Sequence, residues 1–366
     1  MTNIHSPISI LVLEGDGIGP EICAATMDVV EAALTKSKGH VSFIHNIVGL
    51  EALSSKGTTM PDEVLAQAKL SDGIILGPVS HNIYPEKEKG GINPSGTLRK
   101  DLDLFANIRP AETPEGFESR LKKKLDMVIF RENTEGFYAD RNMSLGSGEF
   151  MPTEDTVISM RRITRHCCHR IAKAAFETAR LRLASGRGQG KVTAVHKANV
   201  LRLGCGLFLE EVHHVAKDYP EIVVEEIIVD AMCAHLVRHP ERFDVVVTTN
   251  MFGDILSDLA TELSGSLGLA ASLNLGDDKA MAQAQHGSAP DIAGQNKANP
   301  SSLMLSAGML LEWLGQRHQD QSVMQAGHFI MTAVANVLKN PATRTTDMGG
   351  ELTTSAYTQA IVNELL

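Results

Sequence analysis

Two acids, Asp254 and Asp258, stand four residues apart in the run FDVVVTTNMFGDILSDL at 243–259. The run begins as an apolar strand and continues as a helix, and the spacing puts both carboxylates on one helix face. On a bare face a like-charged pair costs about 0.2–0.5 kcal/mol, so a cation is expected opposite it, and a divalent metal with hard oxygen ligands suits the pair. The alternative is two solvated acids. Arg99, Arg109 and Arg131 each lie at or near the end of an apolar run. Their planar forks match carboxylates, although an arginine in such a place can equally form a surface ion pair. Tyr138 follows the polar stretch RENTEG and is either a core residue with a satisfied hydroxyl or a general acid tuned by a neighbouring cation. Lys197 ends the strand-like VTAVHK. Desolvated or beside a metal it can titrate low enough to act as a base; otherwise it is a solvated strand end. Asp230 ends the apolar run IIVD, in the same topological position as the approach to Asp254.

A second group of residues points to a nucleotide. HGSAPDIAGQNKANP at 286–300 has the small residues and amides that bring backbone N–H groups near phosphates, with Asp291 placed to accept from ribose hydroxyls. An acid there repels a 2′-phosphate, which favours NAD over NADP. GDGIGP at 15–20 also follows a strand and opens a helix, but Pro20 replaces the third glycine and no acid stands at 35–41 to hold a ribose. That excludes the Rossmann fingerprint; the glycines read as a tight turn that lets backbone approach a ligand.

These residues hang on an alternating frame. Short β-branched runs (ISILVL, DGIILG, MVIFRE, KVTAVHK, EIIVDA, VVVTTN) alternate with amphipathic stretches, the mark of an α/β protein. Residues 273–300 read as a long irregular stretch, and the chain after them is helix-rich. In HCCHR at 166–170 the adjacent cysteines point to different faces of a helix, so core plus surface is favoured over a metal site, and His213 and His214 read as helix surface. At 366 residues and 43% hydrophobic content, the chain has room for two domains. A net charge of −10 without a basic run argues against a nucleic-acid surface, and no segment approaches the ~20 apolar residues of a membrane span. The N-terminus lacks a basic region before a long apolar core, so the cytoplasm is the expected compartment. Five cysteines without a CxxC pair read as reduced thiols.

In order along the chain, GDGIGPE, LRKDLDLFANIRPA, RENTEGFY, TAVHKANVL, VDAM, NMFGDILSDLA, GSLGL and HGSAPDIAG with its later ANP resemble the isocitrate/isopropylmalate family of β-decarboxylating dehydrogenases, from about residue 8 to the C-terminus. The resemblance implies two α/β domains unlike Rossmann's: residues 1–104 with 265–366 as the large cofactor-binding domain, and 105–264 as a smaller domain that forms a homodimer. It assigns Asp254 and Asp258 to a Mg²⁺ or Mn²⁺ site, with Asp230 from the partner copy. It gives the malate carboxylates to Arg99, Arg109 and Arg131, and further substrate contacts to Asn93, Ser95 and Asn199. Tyr138 and the other copy's Lys197 become the acid/base pair. His286, Gly287, Ser288, Ala289, Asp291 and Asn299 would hold the adenosine half of NAD.

The implied reaction is oxidative decarboxylation of a 3-substituted malate. A complete set of Tyr138, Lys197 and three aspartates argues against a non-catalytic regulatory subunit. Asn93 and Ser95 are the polar types that isocitrate enzymes place six and four residues before the arginine, in exchanged order. A polar pocket strands an isopropyl group against unpaired donors at about 1–3 kcal/mol, so an isocitrate-like polar γ-group leads. Isopropylmalate, tartrate, D-malate, homoisocitrate and a phosphono analogue remain the alternatives. Three features depart from the family pattern: Pro94 interrupts what is usually the start of a helix, residues 77–91 match neither subfamily closely, and Gln283 stands where most relatives have a glutamate, in the loop before His286.

Overall fold

The computed structural model describes residues 7–138 and 148–366; the first residues of the N-terminus, read above for targeting signals, lie outside them. Twelve strands appear among the described residues, in chain order β1 (Ile8–Leu13), β2 (Val41–Asn46), β3 (Gly73–Leu76), β4 (Ala106–Glu112), β5 (Asp126–Glu132), β6 (Glu149–Thr153), β7 (Thr156–Ser159), β8 (Lys191–His196), β9 (Val223–Ile228), β10 (Val245–Thr248), β11 (Leu273–Leu275) and β12 (Ala280–Gln283). The helices are α1 (Gly19–Ser37), α2 (Leu50–Lys56), α3 (Asp62–Leu70), α4 (Pro94–Asp101), α5 (Arg165–Ala184), α6 (Arg202–Ala216), α7 (Val229–Arg238), α8 (Asn250–Ser264), α9 (Ser301–His318), α10 (Gln321–Lys339) and α11 (Thr354–Leu365).

Ten strands make one sheet in the order β2-β1-β3-β12-β11-β4-β5-β10-β8-β9, and β6 pairs only with β7. The pairs β2-β1-β3-β12 and β5-β10-β8-β9 are parallel, while β11 and β4 run antiparallel to their neighbours in the middle. The inner parallel strands β1 and β10 are buried on both faces, which is why ISILVL and VVVT carry no polar alternation, whereas the edge strands β2 and β9 are half-buried or exposed.

Alternate residues of these strands feed different cores. Val245 and Val247 of β10 pack with Phe176 and Phe208 under α5 and α6, while Val246 packs with Met232 and Leu256 under α7 and α8. In the other half, Ile10 and Val12 of β1 face α1, α9 and α10, while Leu11 and Leu13 face Val64 and Leu98 of α3 and α4. The buried members of the first two clusters lie between residues 105 and 263, and those of the second two lie at 8–104 and 269–365.

Several expectations are corrected. The stretch 273–300 is not irregular throughout: it opens with β11 and β12, which join the two halves of the sheet. These strands have three and four residues, and AMAQ lacks the β-branched content that marks a strand. Asp230 falls in the first turn of α7 rather than at a strand end. Pro94 does not interrupt α4 but starts it, with Asn93 as N-cap accepting from Gly96 N at 3.1 Å; proline fits there because a first-turn N–H has no intrahelical partner. Gly15 and Gly17 do have positive φ, but the backbone they admit is the protein's own: a Cβ on Gly15 would meet Pro78 O at 2.2 Å and one on Gly17 would meet Ser288 O at 2.0 Å. The readings of 166–170 agree with the structure, since Cys167 and Cys168 are buried in α5, and all five cysteines are free. No helix among the described residues is long and apolar enough to cross a membrane.

Candidate active site

The cleft lies where the two halves of the sheet meet. β4 and β5 contribute Arg109 and Arg131, the first turns of α8 bring Asp254, α4 brings Ser95 and Arg99, and the end of β12 brings Gln283, followed by Gln285 and His286. Together with Asn93, Tyr138 and Gly287 these line a space of about 310 Å³. Gly253 lets α8 approach β5 this closely, since a Cβ there would sit 2.6 Å from Arg131 Cβ.

Asp254 is the hub. Its Oδ1 accepts from Arg131 Nη1 and, at 3.2 Å, from Arg109 Nη1, and its Oδ2 accepts from the Tyr138 hydroxyl at 3.2 Å. Burial raises its pKa, but the charges of Arg131 and Arg109 outweigh burial and hold the carboxyl below the usual range. Arg109 is brought down to about 10 by burial and then by Arg131, so it stays charged at neutral pH. Arg109 also reaches Ser257 Oγ at 2.7 Å and Asp258 Oδ1 at 3.4 Å, and Asp258 accepts from Gln285 Nε2 at 2.6 Å. The one-turn spacing thus does place both carboxylates on the cleft face of α8.

The other expected residues divide. Lys197 and Asp230 bond each other, near exposed Asn199, and neither touches Asp254 or the arginines. The carboxyl of Asp230 is lowered by its hydrogen bond from Lys197. In the loop after β12, Ser288 Oγ lies 2.7 Å from Ser80 Oγ, while Asn299 turns inward, accepting from Ser301 N at 3.0 Å and donating to Asp347 Oδ2 at 3.0 Å. Asp291 is exposed, with its carbonyl accepting from Gln295 Nε2 at 2.7 Å, and Ala289 adopts a positive φ of 36°. His286 Nδ1 lies 3.0 Å from Gly287 O, which can only accept, so Nδ1 carries the proton and Nε2 is a buried acceptor without a partner among the described residues. Burial lowers the His286 pKa, so the ring stays neutral.

Both implied groups fit the residues present. Among the described residues no three His, Cys, Asp or Glu side chains of one chain could hold a metal, but Asp254 and Asp258 offer two hard oxygen donors. The orphaned Nε2 of His286 and the free carboxylate face of Asp291 suit the donors of a nucleoside.

Reading the sequence missed Asn250, Ser257 and Gln285. Asn250 is fully buried, accepts from Arg131 Nε at 2.8 Å and donates to Glu135 O at 2.9 Å, so it ties an arginine of the cleft to the loop carrying Tyr138. Helical spacing held the signal, since Asn250 precedes Asp254 by four residues and Ser257 follows it by three.

A cluster of buried guanidinium groups around a pair of carboxylates, beside a loop of small residues and amides, makes a cleft suited to an anionic ligand. Residues 9–365 match the family model for isocitrate/isopropylmalate dehydrogenase, and the chain belongs to that family. It is 40% identical to the isocitrate/homoisocitrate dehydrogenase of Thermus thermophilus over 97% of this chain and 98% of that one, and 40% identical to the 3-isopropylmalate dehydrogenase of Archaeoglobus fulgidus over 97% and 99%. The crystal structure of isocitrate dehydrogenase from Methylococcus capsulatus superposes with a TM-score of 0.85 at 37% identity, covering 98% of this chain and 99% of that one. The α/β fold is that of the family, and the chain is an oxidative decarboxylating dehydrogenase acting on a small molecule.

Proposed function

We propose that this enzyme uses NAD and Mg²⁺ or Mn²⁺ to decarboxylate a 3-substituted malate with a polar γ-group, isocitrate-like, as a homodimer with shared active sites. The observation that carries the reading is the hub at Asp254, where one carboxylate is held by Arg109, Arg131 and Tyr138. Without ligands the site satisfies its own charges: Asp254 stands where a substrate carboxylate would bond the arginines. With a substrate on Arg109 and Arg131, Asp254 and Asp258 would be the residues of this chain that hold the metal. Asp230 from the second copy is the third oxygen donor.

Bound there, the metal would supply Lewis acidity at the α-hydroxyl and its neighbouring carboxylate, and NAD⁺ would accept the hydride. Lys197 of the second copy takes the hydroxyl proton as the alcohol becomes a ketone. Within one chain Lys197 Nζ bonds the Asp230 carboxylate, which places the two side chains together on the surface offered to the other copy. Arg109 and Arg131 hold the malate carboxylates while the β-carboxylate leaves as CO₂. Tyr138, whose hydroxyl donates into the cleft, protonates the carbon left behind. Arg99 joins Arg109 and Arg131 on the malate carboxylates, Ser95 and Asn93 face the variable substituent, and Asn199 lies with Lys197 on the surface offered to the other copy.

Asp291 supports NAD, because its carboxylate suits ribose hydroxyls and repels a 2′-phosphate. Gly287, Ser288 and Ala289 bring backbone to the adenosine with His286, and Asn299 braces the loop. The segregated buried clusters support a large domain of 1–104 with 265–366 and a small one of 105–264. The hairpin β6-β7 supports the dimer: a two-stranded sheet is marginal alone, and its Phe150, Met151, Val157 and Ile158 are exposed. Five reduced thiols and net negative charge suit the cytoplasm.

NADH formation with Mg²⁺ or Mn²⁺ across isocitrate, homoisocitrate, 3-isopropylmalate, D-malate, tartrate and phosphonomethylmalate tests the reading. Fastest turnover of isocitrate or another acid with a polar γ-group is expected. Preference for isopropylmalate would refute the polar pocket, and silence across the panel would refute the dehydrogenase assignment of substrate.

A further inference from the structure

The turn GDGIGP at 15–20 clasps two parts of the cleft wall. Asp16 is 5% exposed, and three donors share its carboxylate: Oδ1 accepts from Leu50 N at 2.7 Å, and Oδ2 accepts from Ser80 N at 2.8 Å and from the Tyr84 hydroxyl. A carboxylate accepts only, and hydrogen bonds to it are stronger than those to a neutral oxygen. Burial and then the bond to Asp16 push the Tyr84 phenol up, so the proton stays on the donor. Pro78, Val79 and His81 line the cleft, and the short turn His81–Ile83 is exposed. Asp16 pins that exposed turn on both sides, at Ser80 and at Tyr84, and its own N–H donates to Pro78 O at 2.8 Å.

Ser80 carries the clasp on to the loop after β12. Its Oγ lies 2.7 Å from Ser288 Oγ, both side chains being buried, and Ile18 N donates to Ser288 O at 2.8 Å. Ser288 is thus held from two sides, by the turn that contains Asp16 and by the serine that Asp16 fixes. We infer that Asp16 and Tyr84 are positioning residues for the cofactor: the chain of bonds from Tyr84 through Asp16 and Ser80 to Ser288 sets the backbone of 287–289 in its binding shape. A loop fixed before the ligand arrives has less ordering to lose on binding, so loosening the clasp weakens affinity without removing a ligand contact. The inference rests on the proposed reading that this loop holds NAD.

The test titrates NADH into the wild type, Tyr84→Phe, Ser80→Ala and Asp16→Asn, following the fluorescence of the nucleotide, with unfolding temperature measured on the same samples. Tyr84→Phe keeps the ring and removes one donor, and Ser80→Ala cuts the link to Ser288; each is expected to raise the Kd for NADH about three- to tenfold. Asp16→Asn, which turns an NH₂ toward a donor, is expected to raise it at least about tenfold. A clasp that only stabilises the fold would lower the unfolding temperature and leave Kd unchanged, and that pattern overturns the inference. If Asp16→Asn fails to fold, an unchanged Kd in both Tyr84→Phe and Ser80→Ala overturns it equally. Failure of the underlying reading looks different: a wild type that binds no dinucleotide refutes the loop's assignment and the inference with it. A wild type that binds NADPH instead refutes only the choice of NAD, and the shifts in that Kd still decide the roles of Asp16 and Tyr84.

Discussion

Asp254 collects two guanidinium groups and a phenol on one carboxylate; in the proposed reaction the guanidinium groups bind and the phenol donates a proton. Tyr138 is the simplest to isolate: its hydroxyl bonds Asp254 at 3.2 Å and its ring packs against Arg131 at 5.6 Å. Tyr138→Phe keeps the ring and removes the proton. Turnover is expected to fall at least about a hundredfold with the unfolding temperature changed by no more than about 2 °C; measured together, retained turnover would remove Tyr138 as the acid. Residue types and spacing made the carboxylate pair at i and i+4 legible; that the arginines and the tyrosine meet it in one cleft was implied by the family resemblance alone. The meeting of Lys197 with Asp230 was not legible, because both follow strands and only tertiary packing shows them to be neighbours.

At the level of elements, the first turns of α8 set the geometry. Asn250 holds Arg131 on one side and the backbone before Tyr138 on the other, and Gly253 lets the helix lie against β5. Asn250→Ala leaves the Arg131 orientation to chance, so kcat/KM is expected to fall about ten- to a hundredfold, with kcat affected as well as KM because Tyr138 shifts too. Steady-state kinetics showing only weaker substrate binding would confine Asn250 to Arg131. The sequence carried the long elements clearly, as with β1, β5, β10 and helices α1 and α5. It hid β4, whose ANIRPAE contains a proline, and the short β11 and β12. Strand β9 was misregistered, since EIIVDA continues its apolar run into α7. Gln283 therefore looked like a loop residue although it ends a buried strand, and its contact with Ser95 and Arg99 spans 184 residues or more of chain that no local pattern encodes.

The whole molecule divides its proposed chemistry between two surfaces. One sheet joins both halves and gathers the cleft at its middle strands, while Lys197 and Asp230 lie outside that cleft with each other. In the proposed reading a single chain has its acid and arginines in one place and its base in another, and two copies bring them together. Coexpression of Tyr138→Phe with Lys197→Met, each inactive alone, tests this most directly. In a mixed dimer one cleft has both lesions and the other has neither, so random pairing, which makes half the dimers mixed, should restore about a quarter of wild-type NADH formation on the best acid of the panel. Mixed dimers that are present by mass yet inactive would contradict the shared site.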